Sequence, residues 1–344
     1  MPKPFAPESI PLVMCCDENY FTYAAVVIQS LLDNREPKSS YDIVIMTAGD
    51  ISEERQNKLT TVVKDQPGVC LRFFDLGTQA DRCDKLFISR NVSAATYYRL
   101  LIPEVFQHYK RVIYLDCDMV ILKDLKPLFE TNLDGKAVGA VFDIGSLSRG
   151  TEEYIDNLAK TYDNFHYINA GLLIMDISKT REVDKEKDLI SMAMENSYEY
   201  HDQDVINIAF AGNIKLISPK WNLLPACARP CFAPDKTELK QLMDDEYRQA
   251  SQSPAIIHFA ASKPGKDLNV DKAPLFWQYA GKTPFGDQML KQAIGHRPAP
   301  QLKCFEKIFS IKNVGNYKAI SLLGFSFWLM RKQARTIVRQ FYKT

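Results

Sequence analysis

Arg111-Val112-Ile113-Tyr114-Leu115 is an unbroken run of β-favouring residues that leads straight into Asp116-Cys117-Asp118. Such a run reads as a central strand buried on both faces. Alternation along an extended chain puts Asp116 and Asp118 on one face, roughly 6–7 Å apart, with Cys117 opposite. Two carboxylates so close repel each other unless a cation or a set of donors neutralises them. Strand ends of this kind in open α/β sheets are where ligands bind. Two readings stand side by side: a divalent ion bridging the carboxylates to a diphosphate, or an acidic turn that merely closes a strand.

The flanking sequence supplies a sheet for that strand. Pro11–Cys16 is an apolar run that ends at the polar Asp17-Glu18-Asn19-Tyr20, and Phe21–Asp33 follows with helical spacing of Ala24, Val27, Ile28, Leu31 and Leu32. Tyr41–Ala48 is a second strand, Ser52–Val63 a helix with Ser52 as its N-cap, and Val69–Leu76 a third strand. Three strand-then-helix units predict a parallel sheet with right-handed crossovers, so residues 10–115 read as a nucleotide-binding α/β half. Beyond them, Asn91–Leu101 carries helical spacing, Lys136–Asp143 is a strand ending in an acid, and Ile168-Asn169-Ala170-Gly171 opens a strand reaching Ile177. Asp184–Asn196 is an amphipathic helix, and Val205–Ala211 a helix with Asp202, Gln203 and Asp204 before it. Acids there suit a helix N-terminus, yet three consecutive polar residues exceed what one cap needs. Ile214–Ser218 and Pro254–Phe259 complete the strands, the second carrying His258.

Composition limits the classes. With 46% hydrophobic and 25% charged residues over 344, the chain buries a sizeable core and is not mainly disordered. The opening Met1–Pro11 lacks the basic-then-apolar pattern of a signal peptide, and no 18 consecutive residues are apolar. The eight cysteines form no spaced framework, which predicts reduced thiols in a cytoplasmic protein. Cys227 and Cys231 are half of a zinc spacing without a second pair nearby. Net charge is +1, but residues 301–344 hold nine Lys/Arg against Glu306 alone. Arg297-Pro298-Ala299-Pro300 is a linker to this tail, in which the uncharged Ala319–Met330 precedes the basic Arg331–Lys343. A basic, aromatic helical tail too short to span suits the surface of an anionic membrane; a helix packed on the core is the alternative. Nucleic acid is disfavoured because the rest of the chain is acidic.

Asp17/Asn19, Asp116/Asp118, Asp143, Asn169 and His258 all sit at strand ends, which in a parallel sheet fall on one edge and converge on one cleft. Two aspartates and a histidine, with open positions for phosphate oxygens, fit Mn²⁺ or Mg²⁺, and the imidazole tilts the choice to Mn²⁺.

In order and rough spacing, Asp17-Glu18-Asn19-Tyr20, Thr96-Tyr97-Tyr98-Arg99-Leu100, Tyr114-Leu115-Asp116-Cys117-Asp118, Asn169-Ala170-Gly171, Asp202-Gln203-Asp204 and His258-Phe259 resemble the motifs of the family 8 glycosyltransferases. The resemblance covers about residues 10–290 and is strongest to bacterial enzymes that use UDP-sugars to build lipopolysaccharide and other surface glycans. It implies a GT-A fold with a Rossmann-like, mostly parallel central sheet flanked by helices. The catalytic domain would span 1–296, with a nucleotide half at 10–115 and a sugar and acceptor half at 119–290. Residues 297–344 would be the membrane-associating tail, placing the protein at the inner face of the cell membrane. By the same resemblance, Asp116, Asp118 and His258 hold Mn²⁺ on the UDP diphosphate, beside Cys117. Asp17, Asn19 and Tyr20 line the uridine pocket, while Arg99, Asp143, Asn169, Ala170, Asp202 and Gln203 surround the donor hexose. Lys263 lies on the phosphates. Ala261 and Gly265 stand where the family usually has Gly and Trp, and Lys263 comes one residue early, so Lys266 is a second choice. Gln203 is a poor covalent nucleophile. Front-face internal return therefore competes with a covalent intermediate on an acid such as Asp204. Two other functions remain: a sugar-nucleotide-binding partner protein without transferase activity, and a nucleotidyltransferase. Asp17-Glu18-Asn19-Tyr20 lacks the glycines and base that the second would want.

Overall fold

The computed structural model describes residues 1–88, 93–148, 152–160, 166–225, 238–295, 309–314, 317–322 and 325–330. The chain divides into two compact units, Met1–Met289 and Leu290–Thr344. In the first unit the strands are β1 (Ile10–Cys15), β2 (Tyr41–Thr47), β3 (Val69–Asp75), β4 (Arg111–Leu115), β5 (Met119–Ile121), β6 (Val138–Phe142), β7 (Ile168–Asp176), β8 (Ile214–Leu216) and β9 (Ile256–His258). Seven of them form one sheet in the order β3-β2-β1-β4-β7-β6-β8. Every residue of β1 and β2 is buried, as expected of strands covered on both faces. The helix Phe21–Asn34 covers one face with Ala24, Val27, Ile28 and Leu31. The other face packs on the 3-10 turns of Ala94–Leu101 and on Val205, Ile206 and Ala209.

The sheet is parallel through β3, β2, β1 and β4. β2 and β3 are laid to one side of β1 and β4 to the other, so the order reverses between β1 and β4. At such a switch point the loops leaving the two strands diverge and leave a crevice. Those loops are Asp17–Tyr20 and Asp116–Asp118. β7 runs antiparallel to both β4 and β6. The reversal brings the start of β7, with Asn169, Ala170 and Gly171, to the edge where β4 ends. Convergence on one edge is thus as expected, but Asn169 reaches it from the beginning of a strand.

Four expectations need correction. Asp116 and Asp118 do not extend a strand: β4 stops at Leu115, and they form the turn into β5. His258 lies outside the main sheet, on β9, which pairs antiparallel with β5 and sets Met119 opposite His258. That side pairing, not the common sheet edge, brings His258 to the aspartates. The single helix expected over Asp184–Asn196 is two, Ile177–Lys187 and Leu189–Glu195, separated by Asp188 at φ 47°. Asp188 ends the first and caps the second through Ser191 N–H, a role its short acceptor side chain suits. In the second unit, the described residues 309–314, 317–322 and 325–330 are strand where a helix was expected. Strands β10 (Phe309–Val314), β11 (Tyr317–Leu322) and β12 (Phe325–Met330) pair antiparallel in sequence order. Runs rich in aromatic and branched residues, interrupted by Gly315 and Gly324 in the sequence, favour strands over one helix.

Cys15, Cys16, Cys70, Cys83 and Cys117 are free thiols. Cys227, Cys231 and the basic stretch 331–344 lie outside the described residues. Among the described residues, no helix is long and apolar enough to cross a membrane.

Candidate active site

The turn after β4 is fixed by its neighbour strand. Asp116 N–H donates to Gly171 O at 2.8 Å, and Phe259 N–H donates to Asp118 O at 2.9 Å. The Asp116 side chain is anchored on the side away from Asp118. Its Oδ1 accepts from Tyr114 Oη at 2.6 Å and pairs with the Arg99 guanidinium at 2.9 Å. Asp118 Oδ2 pairs with Lys263 Nζ at 2.6 Å. Burial is the strongest single influence and opposes ionisation of Asp118, yet Lys263 and His258 together outweigh it and hold the carboxyl well below the usual range. Burial likewise opposes the charge on Lys263, and Asp118 outweighs it, raising the ammonium above its ordinary value.

The inner oxygens of the two aspartates are left facing His258. Nε2 lies 3.2 Å from Asp118 Oδ1 and 3.5 Å from Asp116 Oδ2. The ring is buried, and Nε2 has no hydrogen-bond partner. One ligand atom from each of Asp116, Asp118 and His258 falls within 4.8 Å of the others. A buried polar atom without a partner demands an explanation. Two carboxylate oxygens and an imidazole nitrogen facing a common point are a donor set for Mn²⁺ or Mg²⁺, so the residues fit the ion that the sequence suggests. Gly171 makes this approach possible. A Cβ there would fall 2.3 Å from His258 Cε1 and 2.9 Å from Asp116 Oδ2.

Arg99 ties the rest together. Besides Asp116, its guanidinium reaches Asp202 Oδ2 at 2.9 Å, Ala170 O at 2.7 Å and Thr96 O at 3.0 Å, and it lies 4.7 Å over the Tyr114 ring. At 7% exposure, with these partners, it works as a clamp between three segments. Asp202 also accepts from Thr96 Oγ1 at 2.5 Å, and burial pushes its carboxyl up to about 6 against the pull of Arg99. Gln203 is only half-buried. Its Nε2 donates to Asp143 Oδ2 at 2.9 Å and its Oε1 accepts from Ala170 N–H at 3.0 Å, which fixes the amide at the start of β7. Asp143 itself is fully buried.

Asp17 accepts from the N–H groups of Asn19 and Tyr20 at 2.9 and 3.0 Å, shaping the turn after β1. Lys263 Nζ stands 5.5 Å over the Tyr20 ring, linking that turn to Asp118. Cys117 is buried, with its thiol on Cys15 O at 3.4 Å. Lys266 is exposed. Tyr23 occupies the space beside Gly265, where a Cβ would meet its hydroxyl at 2.2 Å. Asp204 is held apart: fully buried, it accepts from Tyr154 Oη at 2.7 Å, Tyr200 N–H at 2.9 Å and the Tyr167 hydroxyl. Burial raises its carboxyl while these donors oppose the shift.

Asn222 was invisible in the sequence. Its Oδ1 meets His258 Nδ1 at 2.9 Å, and its Nδ2 donates to Asn169 Oδ1 at 2.9 Å. Asn169 thus touches Gly171 N–H and Asn222. The one available signal was the Trp221-Asn222 dipeptide, which no local pattern marks as part of a site.

Known proteins resemble this chain in sequence and in fold. The family model described as glycosyl transferase family 8 matches residues 11–268. General stress protein A of Bacillus subtilis (strain 168) is 26% identical over 262 residues, which cover 74% of this chain and 87% of that protein. Lipopolysaccharide 1,2-glucosyltransferase of Escherichia coli (strain K12) is 25% identical over 263 residues, covering 75% of this chain and 73% of that protein. The crystal structure of the galactosyltransferase LgtC with donor and acceptor sugar analogues shares the fold, with a TM-score of 0.68 at 23% identity over 86% of this chain and 99% of that one. The GT-A architecture is the expected one.

Gly171→Ala tests the close approach. The added methyl must displace the His258 ring, so Mn²⁺ affinity measured by titration calorimetry is expected to fall by at least about tenfold, as when a ligand loses its support. The melting temperature should move by only a few degrees. Unchanged affinity would show that His258 takes no part in holding an ion.

Proposed function

The chain belongs to glycosyl transferase family 8, and from that premise we propose that it transfers a hexose, galactose or glucose, from a UDP-sugar to a hydroxyl of a lipopolysaccharide-type surface glycan. Transfer proceeds with retention at the anomeric carbon and depends on Mn²⁺, with Mg²⁺ as the weaker substitute. The observation that carries this reading is the unpartnered His258 Nε2 facing Asp116 and Asp118 at the β1/β4 crevice. The name of the Escherichia coli relative supports both the sugar and the acceptor class. Asp116, Asp118 and His258 would hold the ion, which when bound supplies positive charge to the departing diphosphate.

The chain's own residues do the rest. Asp17, Asn19 and Tyr20, at the end of β1, border the uridine. Lys263 is half-buried beside Tyr20 and pairs its charge with Asp118. A diphosphate entering there draws that charge onto its oxygens, and the pull grows as UDP leaves, which favours the transition state over the ground state. Arg99 and Asp202 hold the sugar side of the crevice, with Ala170 and Asn169 forming its floor. Gln203 presents a fixed amide dipole to the anomeric centre. Its oxygen already accepts from Ala170 N–H, which suits stabilising an oxocarbenium-like carbon better than attacking it. Asp204, engaged by three donors, is poorly placed to form a covalent bond. These contacts favour front-face substitution, in which the leaving diphosphate helps deprotonate the acceptor hydroxyl.

We also propose that residues 297–344 bring the enzyme to an anionic membrane from its cytoplasmic side. The support is charge: nine Lys/Arg against one acid over 301–344.

Incubation with UDP-galactose or UDP-glucose and Mn²⁺ should release UDP slowly without acceptor. EDTA should stop the release, and Asp118→Ala should lower it by at least about 100-fold, in line with several kcal/mol of charge stabilisation from a bound ion. Absence of both release and binding with every nucleotide sugar tested would refute the assignment. Removing residues 297–344 should abolish sedimentation with phosphatidylserine vesicles and leave donor hydrolysis intact; a truncated protein that still sediments contradicts the membrane role.

A further inference from the structure

We infer that Asn222, steered by Asn169, sets the tautomer of His258 and is a positioning residue for the ion site. The inference rests on the ion-site reading of Asp116, Asp118 and His258 but depends on a different set of contacts. It begins at a backbone group whose direction is not in doubt. Gly171 N–H can only donate, and it donates to the Asn169 side chain at 3.1 Å, so the atom there is the amide oxygen Oδ1. Asn222 approaches the same oxygen at 2.9 Å. Two amide oxygens would repel at that distance, so Asn222 turns its NH₂ toward Asn169. Its Oδ1 is then left facing His258 Nδ1 at 2.9 Å. An amide oxygen only accepts, so Nδ1 carries the hydrogen. In the neutral ring Nε2 is then a bare lone pair, aimed at the gap between Asp116 and Asp118.

The relay is built into the backbone. Asn222 follows the short 3-10 turn Pro219–Trp221, Leu223 bridges Ile257, and His258 N–H donates to Leu223 O at 2.8 Å. That register carries the Asn222 side chain alongside His258. Asn222, Asn169 and His258 are 1%, 6% and 2% exposed, so water does not compete for these bonds. The relay also runs through Gly171, whose missing side chain admits the His258 ring. One residue therefore contributes both the space for the imidazole and the N–H that orients it. Free histidine prefers its hydrogen on Nε2, which would close the position to a cation; the Asn222 acceptor reverses that preference, as partners of metal-bound histidines commonly do.

The test uses full-length protein labelled with ¹⁵N-histidine, first without metal. The nitrogen shifts of neutral His258 should show Nδ1 protonated and Nε2 bare, and Asn222→Leu should remove that bias. Mn²⁺ affinity should fall about 10–100-fold in Asn222→Leu, the range for lost outer partners of a ligand. Asn222→Asp keeps an acceptor on His258 but turns an oxygen toward Asn169 Oδ1, so it should restore the tautomer and recover only part of the affinity. A purely structural Asn222 predicts instead that both variants lose affinity alike. Nε2–H in native metal-free protein overturns the inference whether or not either variant folds, and so does full affinity in a folded Asn222→Leu. If native protein holds Nδ1–H and Asn222→Leu loses it, but Mn²⁺ does not bind, the positioning stands and the ion-site reading fails.

Discussion

A buried imidazole nitrogen without a hydrogen-bond partner, held against two carboxylates, is an arrangement that a folded chain does not leave without reason. Like charges near 4 Å repel by about 4 kcal/mol even at the moderate effective dielectric of a protein surface. Here Asp116 and Asp118 are turned so that their inner oxygens and His258 Nε2 lie within 4.8 Å of one another. The outer oxygens are neutralised by Arg99, Tyr114 and Lys263. That division matters. The surrounding cations make the carboxylates affordable in a partly buried site, yet they leave one concave side electron-rich and unpaired, which is the side a cation and a diphosphate would share.

Fold and site depend on each other through the order of strands. The crevice exists because β4 is added on the side of β1 opposite to β2. It acquires its floor because β7 runs backwards and delivers Asn169, Ala170 and Gly171 to the same edge. Small residues are required at that crossing: the backbone of β7 passes directly beneath the Asp116 turn and the His258 ring. Arg99 then locks the Thr96, Asp116, Ala170 and Asp202 segments into one body, so that groups far apart in sequence keep their distances. Gln203 and Asp143 are joined to that body through Ala170 N–H.

Much of this was legible in the sequence, and what escaped did so for identifiable reasons. Parallel strands announce themselves as apolar runs, buried in β1, β2 and β4 and half-buried in β3, so all four were readable, with the polar turns that leave them. Asp116 and Asp118 were found because paired acids after such a run are costly. The roles of individual residues were harder, because they depend on pairings that no local pattern records. His258 was read on its strand and with the aspartates, but the separate two-stranded ribbon that carries it to them was not. Arg99, read as bordering the donor sugar, also binds carboxylates and carbonyls of the protein, partners that no local pattern shows. Asn222 left no trace, since a lone asparagine after a tryptophan is ordinary until its neighbours are known. The Asp188 break was masked by helix-forming residues on either side. The tail read as a helix on composition, although Gly315-Asn316 between two β-favouring runs was a hairpin signal of the kind that outweighs mean hydropathy.

The most direct test of the account is a measurement on the ion itself. Mn²⁺-loaded protein labelled with ¹⁵N-histidine should show, by electron–nuclear double resonance, hyperfine coupling to a single imidazole nitrogen, and His258→Ala should erase it. Binding of Mn²⁺ without any ¹⁵N coupling would mean that the unpaired His258 nitrogen is not a ligand and that the crevice is organised around something else.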